Sequence, residues 1–265
     1  MVPKLTKVRD GYTIEPFPIM RRFSLDAGRL GRKKHIIHGL LEVDVTKARQ
    51  YISEHGARTG ERLSFTAFVI ACLSRAVGTN PHVHAYLDWR NRLVIFDDVN
   101  VNTMIEVEAN GRKVVKPHII EAANRKTLRE IHDEIRAAQA KPGKTQEMQF
   151  MRWFLYLPGF VRRLFYWLVQ KNPQLMRQYS SSVLVTAVGM FGRGTGWGIP
   201  MPNFTLTVTL GGIAEKPGVV EGRIEIREYL CVTISFDHDI VDGAPAARFA
   251  QRFRELVESG YGLGG

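Results

Sequence analysis

Apolar and polar positions recur along the chain with two periods, one of two residues and one of three to four, and the switches between them mark out its elements. HIIHGLLEVDV (35–45) reads as a strand, and the helix that begins at Thr46 behind it is expected to stop at Gly56. SFTAFVIACLSRAVG (64–78) predicts a buried helix capped by Ser64, with Pro81 beyond its end. HVHAYLD and RLVIFDD predict the arms of a hairpin around WRN, and VNTMIEVEA runs into Asn110-Gly111, a pair suited to a two-residue turn. Thr127 stands where it caps LREIHDEIRAAQ, in which Leu128, Ile131 and Ile135 recur at helical spacing. SVLVTAV, FTLTVTLGGI and a long pair around 223–236 read as strands, followed by a closing helix over 244–258. Strands and helices in this mixed order, with hairpin-length links and no internal repeat, predict an α/β fold. The expected architecture is a two-layer sandwich, an open mixed β-sheet covered by helices, in one domain over 1–265.

One stretch breaks the pattern. FMRWFLYLPGFVRRLFYWLV (150–169) holds eight of the chain's 26 aromatic residues. Pro158-Gly159 interrupts it, and Arg152, Arg162 and Arg163 would lie in hydrocarbon, so no transmembrane span is expected. Phe160, Leu164, Trp167 and Leu168 follow i, i+4, i+7, i+8, which predicts an amphipathic helix. Two surfaces suit it: the domain itself or a subunit neighbour, and a lipid or acyl chain.

With 45% hydrophobic and 24% charged residues, the chain has the composition of a folded globular protein and not of a disordered one. Its 37 Lys+Arg against 26 Asp+Glu give a net charge of +11, which suits an anionic partner without choosing one. The basic clusters Arg32-Lys33-Lys34 and Arg125-Lys126 are short and scattered and lie in no nucleic-acid module, so they read as solvated faces and no nucleic-acid partner is expected. Cys72 and Cys231 sit in apolar runs as buried thiols. MVPKLTKVRDGYTIEPF has no apolar core of signal-peptide length, and together these features predict a cytoplasmic protein. GRGTGWG (192–198) is followed by Ile199-Pro200 where a phosphate-cradling helix would start, so it reads as a turn. His82 and His84 share one face of a predicted strand, and His35 and His38 lie in another, without a third ligand at metal spacing, so no metal site is expected.

The chemistry concentrates in SFDHDIVDGAPAARF (235–249). A neutral imidazole at His238, just past a strand, can take a proton from a thiol or hydroxyl at physiological pH if it is held still. Asp242 is placed to order that loop through a salt bridge or a cap, and Gly243 to turn the backbone sharply into the helix without a Cβ clash.

This stretch resembles the Asp-His-x-x-x-Asp-Gly-Ala signature of the acyltransferase (E2) catalytic domains of 2-oxo acid dehydrogenase complexes, which share the chloramphenicol acetyltransferase-like fold. IMRRFSLDAGRLGRKKHIIHGLLEVDVTKAR is similar to the opening helix and first strand of that domain, and LVTAVGMFGRGTGWGIPMPNFTLTVTLGGI to its segment around Ser-Asn-Leu-Gly-Met-Phe-Gly. The order of elements matches from about residue 14 to 258.

The resemblance implies a transfer between a coenzyme A thioester and a dihydrolipoyl-type thiol, without metal or redox cofactor. His238 would accept the thiol proton, Thr186 would supply the oxyanion-stabilising hydroxyl, and Asp242 would be structural, paired with Arg21 or Arg22 of the opening helix. It also implies a homotrimer, or a larger assembly of trimers, with sites between subunits. No lipoyl or peripheral-subunit-binding domain is read in the sequence, so a lipoyl group is expected only on a partner carrier protein.

Departures from the family are Asp239 in place of the common arginine, Ala187 in place of asparagine, a loose match at KVVKPHII, and an aromatic, basic insertion over 150–179. They put the substrate in doubt more than the reaction. Two other readings stay open: an acyltransferase acting on a hydroxyl or lipid-like acceptor, and a non-catalytic scaffold. Condensation and wax-ester-type acyltransferases carry a second histidine where Asp237 stands here, and retention of His238 with a hydroxyl at 186 favours an enzyme over a scaffold.

Overall fold

The alternating stretches pair into one six-stranded sheet in the computed structural model, which describes residues 6–7, 12–109, 112–140, 153–189, 194–201 and 203–264. In chain order the elements are β1 (Thr6–Lys7), β2 (Thr13–Ile14), α1 (Arg21–Gly31), β3 (Ile36–Asp44), α2 (Thr46–Thr59), α3 (Phe65–Thr79), β4 (Tyr86–Leu87) and β5 (Leu93–Val94). Then come β6 (Val101–Ala109), β7 (Arg112–Ile120), α4 (Leu128–Ala140), α5 (Gly159–Lys171), α6 (Pro173–Tyr179), β8 (Val183–Ala187), β9 (Leu206–Val220), β10 (Arg223–Asp237) and α7 (Gly243–Glu258). The sheet order is β3-β10-β9-β8-β6-β7; β8 runs parallel to β6 and to β9, and every other pairing is antiparallel.

Period-two patterning fixes the two faces of the sheet. On β9 and β10 the even positions, among them Leu206, Val208, Val232, Ile234 and Phe236, join α3 and α7 in a core where Phe68, Phe249 and Phe253 are fully buried. The odd positions of the same strands carry Thr207, Thr209, Thr233 and Ser235, and these are buried too, as is Thr205 just before β9. The β9–β10 hairpin turns through Glu221 and Gly222, both at positive φ (48° and 79°), the two-residue geometry whose twist matches paired strands. Where Leu230 to Val232 faces Leu210 to Ile213 the register slips, and Gly211-Gly212 forms the extra residue of a bulge. The loop containing Gly194 and Gly196 lies against that bulge: a Cβ on Gly211 would stand 2.0 Å from the Gly196 carbonyl oxygen. GRGTGWG is therefore a backbone packing segment and not a phosphate cradle; its residues 192–193 lie outside the described residues.

Ser64 caps α3 by accepting the Ala67 amide, and Thr127 with Glu130 forms a reciprocal cap on α4. Other expectations are corrected. The second helix passes through Gly56 and ends at Gly60, whose φ of 75° is the left-handed cap. A helix tolerates an interior glycine at a cost of about 1 kcal/mol, whereas its end calls for positive φ. His82 and His84 lie in a 3-10 turn over Pro81–His84, because Pro81 opens a helical turn and cannot donate to a ladder; the hairpin shrinks to β4 and β5. Ala109 pairs with Arg112 across two positions, and Asn110-Gly111 themselves lie outside the described residues.

The helix predicted within the aromatic stretch forms as α5, but turned over; residues 150–152 lie outside the described residues. Its inward face buries Arg162 and Val169, while Phe160, Leu164, Trp167 and Leu168 point outward. Arg162 Nε donates to Asp26 Oδ2 of α1 at 2.7 Å, and its Nη1 donates to the Leu155 and Leu157 carbonyls. No helix among the described residues is long and apolar enough to cross a membrane.

Candidate active site

Strand β10 delivers His238 to the end of the sheet. The Asp237 amide donates to the Thr205 carbonyl, and the His238 amide extends the β10–β3 ladder by donating to the His35 carbonyl at 2.7 Å. The chain then turns at once, Ile240 and Val241 both donating to the Asp237 carbonyl, and α7 starts at Gly243. The imidazole stands 44% exposed, and its Nδ1 lies 3.9 Å from Asp242 Oδ1, facing it without a hydrogen bond. The flanking carboxylates are tied to the segment before β3: buried Asp237 pairs with Lys34, and Asp239 Oδ1 with His35 Nδ1 at 2.8 Å. Lys34 and His35 thus frame the histidine, a role visible only once β3 and β10 are placed in register.

The predicted supports of this loop differ from what forms. Asp242 is the N-cap residue of α7, yet its side chain makes no cap bond and is 87% exposed. Pro245 occupies the third helical position and has no N–H, which removes one of the two amides an N-cap oxygen can accept from and leaves that of Ala244. Neither Arg21 nor Arg22 reaches Asp242 in the single chain; Arg22 donates instead to the Leu155 carbonyl. Gly243 has no positive φ, and a Cβ there would meet nothing within 4 Å, so no clash demands glycine at this turn within one chain.

Thr186 lies in the middle of β8, half-buried, with no hydrogen-bond partner for its hydroxyl among the described residues. It is level with Thr209 of β9, which is level with Thr233 of β10. His238 is five positions beyond Thr233, about 16 Å along the strand, and two strands across is about 10 Å, so roughly 19 Å separates the two backbones within a chain. A cavity of about 680 Å³ among α2, α4 and residues 261–263 and another of about 480 Å³ against β3 and β9 are lined by neither residue.

Other reactive groups are committed elsewhere. Both cysteines are buried, and burial pushes the Cys72 thiol far up. Burial pulls His84 down to about 4, a histidine kept neutral in the core. Glu61, His132 and Asp133 cluster at metal-like distances. His132 Nδ1, however, accepts the Ser64 amide and its Nε2 faces Glu61 at 3.2 Å, so Nε2 carries the proton and the ring has no lone pair left for a metal.

Comparison with known proteins follows the same outline. The family model for 2-oxoacid dehydrogenases acyltransferase (catalytic domain) matches residues 35–151 and 172–263. The dihydrolipoyllysine-residue acetyltransferase component of the pyruvate dehydrogenase complex of Zymomonas mobilis is 25% identical over 238 residues, 87% of this chain and 47% of that protein. The Bacillus subtilis counterpart is 26% identical over 223 residues, 82% of this chain and 43% of that one. The chain thus spans about half the length of the curated relatives it matches.

Among solved structures, a probable dihydrolipoamide acetyltransferase from Listeria monocytogenes superposes with a TM-score of 0.67 at 20% identity, over 94% of this chain and 96% of that one. Chloramphenicol acetyltransferase gives 0.52 at 15%, over 91% and 98%. The Azotobacter vinelandii dihydrolipoamide acetyltransferase gives 0.69 at 16%, over 94% and 93%. In that enzyme a serine, a histidine and an asparagine have been studied for their roles in the mechanism. The serine precedes the histidine by 52 positions and the asparagine follows it by four, the spacing of Thr186, His238 and Asp242 here.

Proposed function

Because the chain belongs to the family of 2-oxoacid dehydrogenase acyltransferase catalytic domains, we propose that it transfers an acyl group between a coenzyme A thioester and a dihydrolipoyl-type thiol, with His238 as general base. Nδ1 of His238 faces Asp242, which leaves Nε2 to accept the thiol proton. The sulfur then attacks the thioester carbonyl, and the Thr186 hydroxyl donates to the oxygen as negative charge develops on it. Collapse of the tetrahedral intermediate expels the other thiolate, which takes the proton back from His238, so the exchange is balanced without a further reactant. The dihydrolipoyl group is supplied by a carrier partner, and the two buried free thiols fit a reducing compartment such as the cytoplasm.

The observation that carries this reading is that Thr186 and His238 have the sequence spacing of the Azotobacter serine and histidine, yet stand roughly 19 Å apart in one chain. The site is therefore assembled between copies, in a homotrimer or a cage of trimers, each chain giving its histidine to one site and its threonine to the next.

Complementation tests this. His238→Ala and Thr186→Ala are each expected to lose about 10² to 10⁴ in rate. Co-expressed at equal levels in a random cyclic trimer, they regain roughly a quarter of the sites, since each site needs an intact histidine from one chain and an intact threonine from its neighbour. Acyl transfer is assayed against each variant alone, with subunit mixing verified by a tag. No recovery in mixed trimers refutes the shared site, and wild-type rates in His238→Ala refute the base.

A further inference from the structure

The polarity of α5 is inverted relative to a helix at home on a soluble domain. Its buried side carries Arg162, and its outward side carries Phe160, Leu164, Trp167 and Leu168, the first 67% exposed and Trp167 49%. Arg162 explains the orientation: with Asp26 and two backbone carbonyls as partners it is satisfied inside, which commits the opposite stripe to the outside. The patch continues past the end of the helix. The Trp89 amide donates to the Lys171 carbonyl, and Trp89 itself is exposed beneath the Arg90 guanidinium, 4.4 Å from its ring.

Charge and family membership select what covers this face. From residue 153 to 179 the sequence contains no Asp or Glu; Arg162 is paired inside with Asp26 and Arg177 with Asp98, while Arg163 stands on the exposed side of the helix. Arg163, exposed, sits beside Phe160 and Trp167 at i+3 and i−4 along the helix. Arg163 beside the stripe and Arg90 over Trp89 place positive charge at its rim, which an anionic lipid surface complements. The family model matches residues 35–151 and 172–263 and leaves α5 out, so an assembly contact shared by the family does not account for the stripe. Thirteen residues of helix extend about 20 Å, less than the hydrocarbon thickness, so α5 is too short to cross a bilayer.

We propose that α5, with the Trp89-Arg90 turn beside it, is an interfacial docking element that holds the protein on anionic lipid headgroups, the aromatic stripe in the headgroup–acyl boundary and the arginines at the phosphates. The inference does not depend on the acyl-transfer reading, because lipid binding and catalysis are measured separately.

The test is flotation of the full-length protein with vesicles of phosphatidylcholine alone and with about a third phosphatidylglycerol. Alongside it, quenching of tryptophan emission by brominated acyl chains reports insertion, and light scattering gives the oligomer mass. Wild type is expected to float with the anionic vesicles and to be quenched. Phe160→Glu with Leu164→Glu is expected to lose about a hundredfold in partitioning at unchanged oligomer mass. Arg163→Glu, outside the apolar stripe, is expected to weaken anionic binding roughly tenfold or more and covers the case in which the double variant fails to fold. Absence of flotation by wild type, equal flotation by the variants, or a fall in oligomer mass in the double variant would overturn the proposal, the last by showing that a second copy covers the face.

Discussion

The amide of His238 is bonded into the end of the β10–β3 ladder while its imidazole is open to solvent, so the position of the ring is set by backbone hydrogen bonds and not by packing. Asp242 has even fewer ties, and this changes what its substitution should do. Asp242→Asn keeps the shape and removes the charge. With the carboxylate exposed and no cap bond to lose, unfolding free energy is expected to stay within about 0.5 kcal/mol of wild type. Under the proposed mechanism turnover is expected to fall, because the carboxylate that His238 Nδ1 faces at 3.9 Å is gone. A urea midpoint measured beside kcat checks this; a loss above about 1 kcal/mol would mean that assembly gives the carboxylate a buried partner. The strand-end position of His238 was legible in the sequence from the apolar run that stops at Asp237 and the glycine behind it, while its proposed role as a base came from the resemblance of the whole stretch to the family signature. Lys34 and His35, which pair with the flanking Asp237 and Asp239, were not legible, since cross-strand register brings together residues some 200 positions apart. Pro245 was in plain view and already removed one of the two donors for a cap at Asp242.

Helices and strands were legible wherever their period was clean, and the helix α5 shows where periodicity stops informing. An apolar stripe at i, i+4, i+7, i+8 specifies a helix and a face but not which way the face points. That was decided by one arginine and one aspartate 136 positions apart. The buried Asp26–Arg162 pair gives an element-level prediction. Asp26→Ala leaves the guanidinium buried without its counter-charge and is expected to cost about 3–5 kcal/mol, whereas Asp26→Leu combined with Arg162→Met recovers most of that loss. Thermal or denaturant unfolding of the single and double variants measures it. Additive losses would show that the two side chains act independently.

At the scale of the whole molecule, the sheet is two hairpins with one strand between them and β3 along one edge. Strands β6 and β7, like β9 and β10, are joined by two-residue links and pair locally, and β3 reaches its neighbour β10 only across most of the chain. Between the hairpins, β8 has no local partner: both its ladders are parallel, one to residues 101–103 and one to residues 206–210. The order of elements in the sequence implied a mixed sheet, but not that this strand would be its keystone. Loops must close before such pairings contribute, so β8 enters late in folding. Val185→Ala should accordingly speed unfolding and leave the folding rate nearly unchanged, while Val232→Ala in the β9–β10 hairpin slows folding; stopped-flow rates that reversed this ranking would refute the order. Since Thr186 rides on β8, its level pairing with Thr209 is completed only as the sheet closes, after the β9–β10 hairpin that leads into His238 has formed.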